Sequence, residues 1–182
     1  LTEQANRDGF DAGARLMDHL MTAFAARSLP ATRIDISRPA SVDPQPLTRD
    51  RIPDDAASGA GRLLDVSVTG LGLDVRGPMV ETFARASYRV VGVRGGLLQS
   101  SRVVNVNAVD HVGTVTPSWK PPAPPREALP VARECRFQFR FDQDKDSARL
   151  WQCLDQALAD IATRIAEDPI WSAPSPKSTS LD

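Results

Sequence analysis

The amino-terminal part of the chain has the pattern of an amphipathic helix, beginning at Asp8 or Asp11 and ending before Pro30. Its apolar side chains recur at three- and four-residue spacing and form one stripe. They are Leu16, Met17, Leu20 and Phe24. A short strand is predicted at 32–37. Residues 38–61 contain four prolines and few large apolar side chains, which predicts an extended surface connection.

The middle of the chain alternates apolar and polar residues, which is the period of a strand with one buried face. We expect strands at 62–73, 82–93 and 97–109, the last two joined as a hairpin through the turn signal Arg94-Gly95-Gly96. Two nearby glycines in the first strand indicate a bulge. The side chains expected to face the core are Leu64, Val66, Val68, Ala84, Ala86, Tyr88, Val90, Val104, Val106 and Ala108.

A proline-rich segment separates these strands from the last part of the chain. Residues 112–131 contain six prolines and predict a stiff surface loop. The most regular alternation follows, and it predicts a further strand. Its apolar side is Cys135, Phe137, Phe139 and Phe141, and its polar side is Arg136, Gln138 and Arg140.

A second amphipathic helix is predicted from capping residues at 144–147 to about Glu167, where Pro169 stops it. The residues expected to face inward are Leu150, Leu154, Leu158, Ile161 and Ile165. The segment 169–182 has little to bury, and we expect a mobile tail.

Each helix has one apolar stripe and each strand one apolar face, so burial of all of them requires two layers. We therefore predict an α+β fold, with an antiparallel sheet of four to five strands and both helices on one face. Residues 1–168 form a single domain in this prediction, with surface loops at 38–61 and 112–131.

Composition excludes several classes of function. Lys and Arg number 22 against 23 Asp and Glu, a net charge of −1, which provides no general attraction for nucleic acid. No segment approaches the roughly 18 apolar residues that a transmembrane helix requires. Two cysteines and two histidines cannot complete a structural zinc site without carboxylates. We expect no cofactor and no metal.

The residues that could carry chemistry are few. His19 lies off the apolar stripe of the first helix and is expected to face solvent. His111 follows Asp110 at a strand end, but no nucleophile-elbow motif accompanies it. For Cys135 and Cys153 we expect free, inert thiols, because a long strand would separate the two Cα atoms by more than a disulfide spans. A disulfide and a reactive thiol are the alternatives.

The exposed edge of the sheet is one candidate surface for binding a partner, and two further surfaces are candidates. The first is the sheet face away from the helices, an exposed polar face on which arginines could contact an anionic group or an acidic partner. Its polar residues are Arg89, Asn105, Asn107, Arg136 and Arg140. The second is the proline-dense loop at Trp119, Lys120, Pro121 and Pro122, where a polyproline II segment beside an exposed Trp could dock. A stiff loop whose Trp covers the edge of the core is the alternative.

Three segments carry a resemblance to a known group of proteins. They are Leu63-Leu64-Asp65-Val66-Ser67-Val68-Thr69, Ala86-Ser87-Tyr88-Arg89-Val90-Val91, and Leu154-Asp155-Gln156-Ala157-Leu158-Ala159-Asp160-Ile161-Ala162. In order and hydrophobic pattern they resemble bacterial envelope lipoproteins. This group includes auxiliary lipoproteins of ABC-type lipid-transport systems and the α+β module shared by the TolB amino domain and the curli-secretion lipoprotein.

The resemblance implies an accessory subunit in the periplasm, anchored at the outer membrane through a lipidated residue upstream of Leu1. It implies a non-enzymatic envelope protein that acts through protein–protein contacts in a transport, secretion or envelope-assembly complex, with self-association as a further option. One alternative is a carrier of an amphipathic, lipid-like ligand for an ABC-type transport system. Another is a hydrolase-type enzyme that uses His111.

Overall fold

The computed structural model of the chain describes residues 9–34, 60–93, 98–106, 126–138 and 143–173. These residues form two α-helices and a five-stranded sheet, so the predicted α+β class is confirmed. The helices are α1 (Ala12–Ala26) and α2 (Gln143–Ala166). The strands are β1 (Arg62–Arg76), β2 (Met79–Gly92), β3 (Leu98–Val106), β4 (Arg126–Leu129) and β5 (Arg136–Gln138).

Strand β2 is the centre of an antiparallel meander, with β1 on one side and β3 on the other. It alternates between half-buried and buried residues along its whole length because one face lies against the core. The buried side chains are Val80, Thr82, Ala84, Ala86, Tyr88 and Val90, and the predicted inward residues are among them. Gly77, in the turn between β1 and β2, has a φ of 58°, which glycine adopts without steric penalty.

The glycines of β1 mark a β-bulge, as predicted. The register of β1 against β2 shifts between Val68 and Gly70. A Cβ on Gly70 would lie 3.3 Å from Cε2 of Phe83, so a larger side chain would crowd that ring. The extra residue bends β1 and increases its twist.

The sheet is mixed rather than wholly antiparallel, because β4 pairs with β3 in parallel. β4 lies inside the segment 112–131 that was predicted to be a loop, so that prediction is wrong for Arg126–Leu129. Its sequence has neither clear alternation nor β-branched residues. Pairing with the edge of β3, not local preference, therefore makes this segment a strand.

Strand β5 is shorter than predicted. It covers Arg136–Gln138 and pairs with the first residues of β2, and Cys135 precedes it in a short 3-10 helix. Cys135 and Phe137 are each 4% exposed, which confirms the inward side of the pattern at these two positions. Phe139, Arg140 and Phe141 lie outside the described residues.

Helix α1 has a defined cap at each end. Its start agrees with the prediction, because the Asp11 carboxylate accepts a hydrogen bond from the N–H of Ala14 at 3.0 Å. At its carboxyl end, the N–H of Leu29 donates to the carbonyl of Phe24, and the N–H of Ser28 donates to the carbonyl of Ala25. These two hydrogen bonds form a Schellman motif. Ser28 has a φ of 56°, the left-handed conformation in which this motif favours glycine.

The core lies between the helices and one face of the sheet. All five predicted inward residues of α2 are completely buried. In the predicted stripe of α1, Leu16, Leu20 and Phe24 are buried, whereas Met17 is only half-buried. α2 packs on β2 and β3, and α1 packs beside α2 and over β1, so both helices cover the same face, as predicted. α2 begins at Gln143, so the expected capping residues 144–147 lie inside its first turns.

The two helices run in the same direction, and aromatic pairs join them near both ends. The rings of Phe10 and Trp151 stack at 4.9 Å near the amino ends. The rings of Phe24 and Trp171 meet edge to face at 5.1 Å near the carboxyl ends. The flanks of the helices, and not only their apolar stripes, are therefore in contact.

Cys135 and Cys153 form a disulfide with Cα atoms 5.5 Å apart, so the expectation of free thiols is wrong. That expectation placed Cys135 far along a long strand, at a distance from α2. The strand instead begins after Cys135, which lies in a 3-10 helix packed on α2. Both cysteines are 4% exposed, so the bridge belongs to the core.

Two terminal predictions also differ from the structure. Residues 32–34 are not in a strand, and the remainder of the strand predicted at 32–37 lies outside the described residues. The predicted mobile tail is ordered over 169–173, where Pro169–Trp171 forms a 3-10 helix. Trp171 anchors it by donating from Nε1 to the carbonyl of Ile165 at 2.7 Å. Residues 174–182 lie outside the described part.

Candidate interaction surface

The structure describes some of the predicted binding residues and not others. Arg89 and Arg136 are placed on the sheet, on the face opposite the helices. The loop residues Trp119, Lys120, Pro121 and Pro122, together with Asn107, His111 and Arg140, lie outside the described residues. The sheet face is therefore the predicted surface whose geometry can be analysed.

The outer face of the sheet, defined as the side of β1–β3 away from the helices, follows from the register. Residues paired directly across antiparallel strands project to the same side. Arg85 of β2 pairs with Gly70 and Asn105, and Arg89 pairs with Asp65 and Ser101. Because buried residues of β2 occupy the alternate positions, Arg85 and Arg89 point away from the core.

The arginines of the outer face differ in what they bind. The Nε of Arg85 donates to Oδ1 of Asn105 at 2.9 Å. Asn105 was expected to be exposed, but it is 7% exposed, so it holds Arg85 rather than facing solvent. Arg136 is paired with Glu81 at 3.2 Å. The side chain of Arg89 is half-buried, and it makes no hydrogen bond or ion pair with any described residue.

A second polar cluster lies between the two helices. Arg15 Nη1 and His19 Nε2 each lie 3.1 Å from Oδ1 of Asp155 on α2. His19, expected to face solvent, is therefore a half-buried interhelical residue. Burial acts to raise the pKa of Asp155, but hydrogen bonds from His19 and Arg15, and their charges, outweigh it and hold the pKa below its ordinary value of 3.8.

The interhelical cluster does not resemble a catalytic triad. Arg15 and His19 both contact Oδ1 of Asp155, so the oxygen that contacts the imidazole also forms an ion pair with an arginine. No hydroxyl or thiol is hydrogen-bonded to His19 in the part of the chain that the structure describes. Its geometry fits a link between packed helices.

A third cluster closes the end of the core near the carboxyl ends of the helices. Asp168 accepts a hydrogen bond from Tyr88, lies 3.4 Å from Nε of Arg102, and also accepts from the N–H of Ile170. Beside it, a cleft of about 370 Å³ lies between the ends of α1 and α2. Its lining residues include Arg27, Asp168 and Trp171. Through these partners Asp168 connects the segment after α2 to β2 and β3, so we interpret the cluster as structural.

Sequence reasoning found Arg89 and Arg136 through alternation, and the same signal contained Arg85, four residues before Arg89. Asp155 and Asp168 were missed because their partners come from distant elements. Among the described residues, no group of His, Cys, Asp and Glu could hold a metal ion. No helix in the described ranges has the length and hydropathy needed to span a bilayer.

Comparison of this chain with protein-family models, with curated proteins and with solved structures found no match.

Proposed function

We propose that this chain is a non-enzymatic accessory domain of the bacterial cell envelope that acts through protein–protein contacts, using the outer face of its sheet. The observation that carries this proposal is the one-sided packing: both described helices cover the same face of the sheet. The opposite face presents half-buried polar residues, including Arg85 and Arg89. Arginine is enriched at protein–protein interfaces, and the pairing of β2 with β1 and β3 fixes the backbone that carries these two arginines.

The disulfide supports the periplasm as the location. Stable disulfides form in oxidising compartments, which include the bacterial periplasm, and are rare in the cytosol. The Cys135–Cys153 bridge is buried and joins the 3-10 helix that precedes β5 to α2, so it belongs to the folded core. The proposal has two further parts. The protein is attached to the membrane through a lipid, and it belongs to a transport, secretion or envelope-assembly complex.

The alternatives have less support in the geometry. A carrier of an amphipathic ligand needs space between helices and sheet, but the residues of α2 that face the sheet are completely buried. The cleft near Trp171 lies beyond that interface and contains charged residues. An enzyme using His111 has no described constellation of residues to support it. Protein contact is the function that best fits the described surface.

Location is tested by trapping thiols in the cells that produce the protein. Cells are lysed in acid, and Cys135 and Cys153 are labelled with a polyethylene glycol maleimide before or after reduction. The proposal expects labelling only after reduction, and recovery of the protein in the periplasmic or membrane fraction. A reduced protein in the cytosolic fraction would contradict the proposed location.

The contact surface is tested by photo-cross-linking from two positions. A benzophenone amino acid replaces Ser87 on the outer face or Gln152, an exposed residue of α2. We expect Ser87 to yield an adduct with one specific envelope protein, identified by mass spectrometry, and Gln152 to yield none. Adducts of equal yield from both positions, or none from Ser87, would refute the assigned surface.

A further inference from the structure

Arg85 and Arg89 form a pair with a defined spacing on the outer face. They are four residues apart on the same side of β2, with Ser87 between them. At about 3.3 Å per residue, their Cα atoms are separated by roughly 13 Å along the strand. Both belong to the central strand, which is held by β1 and β3, so this spacing is rigid.

Both arginines retain hydrogen-bonding capacity for a ligand. Arg85 uses Nε on Asn105, which orients the guanidinium and leaves its two Nη groups. The side chain of Arg89 makes no hydrogen bond or ion pair with a described residue. By contrast, Arg136 is already paired with an acid.

The acidic residues nearest the pair are shielded from solvent. Glu81 is bound to Arg136, and its side chain is 13% exposed. Asp65, the cross-strand neighbour of Arg89, is 7% exposed, whereas Arg85 and Arg89 are half-buried. A ligand that approaches this part of the outer face therefore meets the guanidinium groups of Arg85 and Arg89 before it meets these carboxylates.

The surface between the two arginines is low. Ser87 pairs with Ser67 on β1 and with Val103 on β3, and Gly70 lies beside Arg85. The short side chains on the β1 side leave space for a chain to lie along β2 between the arginines, with Val103 on its other side. An extended chain projects every second side chain to the same side, so its residues i and i+4 are also about 13 Å apart. A helix places the same two positions only about 6 Å apart.

We infer that the outer face binds an extended acidic segment of a partner protein, with carboxylates at positions i and i+4 on Arg89 and Arg85. The inference rests on the proposed function and specifies the partner for that surface. Arginine suits this role because its planar guanidinium binds a carboxylate through two parallel hydrogen bonds. The spacing of the pair selects an extended segment over a helical one.

The test uses fluorescein-labelled ten-residue peptides and measures fluorescence anisotropy at low salt. One peptide has Glu at i and i+4 in a Thr-rich, extended sequence, a second has Lys at the same positions, and a third has Glu at i and i+3. We expect the i, i+4 Glu peptide to bind at least about fivefold more tightly than either control, and its binding to weaken with added salt. Equal binding of the three peptides, or no binding of the first, would overturn the inference.

Variants locate the site. Arg89→Gln removes a residue without an internal partner, so folding should be retained, and the double variant with Arg85→Gln should weaken binding about tenfold. Arg133→Gln, at an exposed arginine outside the outer face, is the matched control and should change binding little. Unchanged binding by Arg89→Gln would contradict the inference. If Ser87 still cross-links one envelope protein in the double variant, the inference fails while the proposed function stands.

Discussion

Tyr88 on the central strand donates a hydrogen bond to the carboxylate of Asp168, 80 positions later in the chain, over 2.5 Å. Asp168 directly follows the last turn of α2 and accepts another hydrogen bond from Ile170 in the 3-10 helix. Because its side chain is only 3% exposed, the charge of Asp168 depends on these donors and on Arg102 in place of water. The contact fixes the carboxyl end of α2 to the sheet.

Removing this hydrogen bond should destabilise the protein. Tyr88→Phe retains the ring but leaves the buried carboxylate with one donor fewer, so we expect the free energy of unfolding to fall by about 1–3 kcal/mol. Urea denaturation measures it, and a double-mutant cycle with Arg102→Gln separates the two contacts. An unchanged midpoint in Tyr88→Phe would show that the contact contributes little.

Loss of the disulfide should be the larger effect. The bridge joins positions separated by 18 in sequence, and a loop near this length is stabilised by roughly 3 kcal/mol when cross-linked. We expect the double variant Cys135→Ala, Cys153→Ala to lose about that amount in urea unfolding. Reductant should destabilise the natural protein and leave the double variant unaffected; equal responses of the two proteins would refute the prediction.

Ser28→Gly should stabilise the end of α1. Ser28 occupies the left-handed position of the Schellman motif with a φ of 56°, where glycine carries no Cβ penalty. The gain exceeds the extra entropy of glycine in the unfolded chain, so we expect about 0.5–1 kcal/mol of added stability. Ser28→Ala is the control and should provide no gain. A melting temperature for Ser28→Gly at or below that of Ser28→Ala would contradict the assignment.

The interhelical contact of Asp155 should depend on pH with a defined sign. Its folded-state pKa lies below 3.8, so the carboxylate contributes stability above that pH, and the contribution is lost as pH falls through the folded-state value. Asp155→Asn should therefore lower stability near neutral pH, by less than about 1 kcal/mol for this partly exposed group. The difference from the natural protein should shrink in acid.

Urea unfolding of both proteins from about pH 2.5 to about pH 7 measures this dependence, because this range extends to either side of the ordinary carboxyl pKa. Asp160→Asn is the matched control, since among the described residues the Asp160 carboxylate accepts a hydrogen bond only from Gln156 on the same helix. A difference for Asp155→Asn that grows toward low pH would have the wrong sign.

The candidate surface was partly accessible from the sequence. Alternation in β2 placed Arg89 opposite the buried Tyr88, and the structure has both as predicted. That Asn105 is buried and accepts a hydrogen bond from Arg85 could not be read from the pattern, because the burial of an outer-face residue depends on its neighbours in the assembled sheet. The absence of a partner for Arg89 among the described residues is likewise a property of the assembled sheet.

The sequence alone determined the two helices, the antiparallel strands and the face that each buries. Local periodicity is sufficient to predict these features, because an element with one apolar side must bury that side against the other elements in a shared core. Tertiary structure alone decided the Cys135–Cys153 bridge, the parallel pairing of β4, and the contacts of Asp155 and Asp168. Each of these contacts joins segments that are distant in sequence. Whether such segments meet in space depends on how the helices and strands pack against one another, and a local sequence pattern contains no information about that packing.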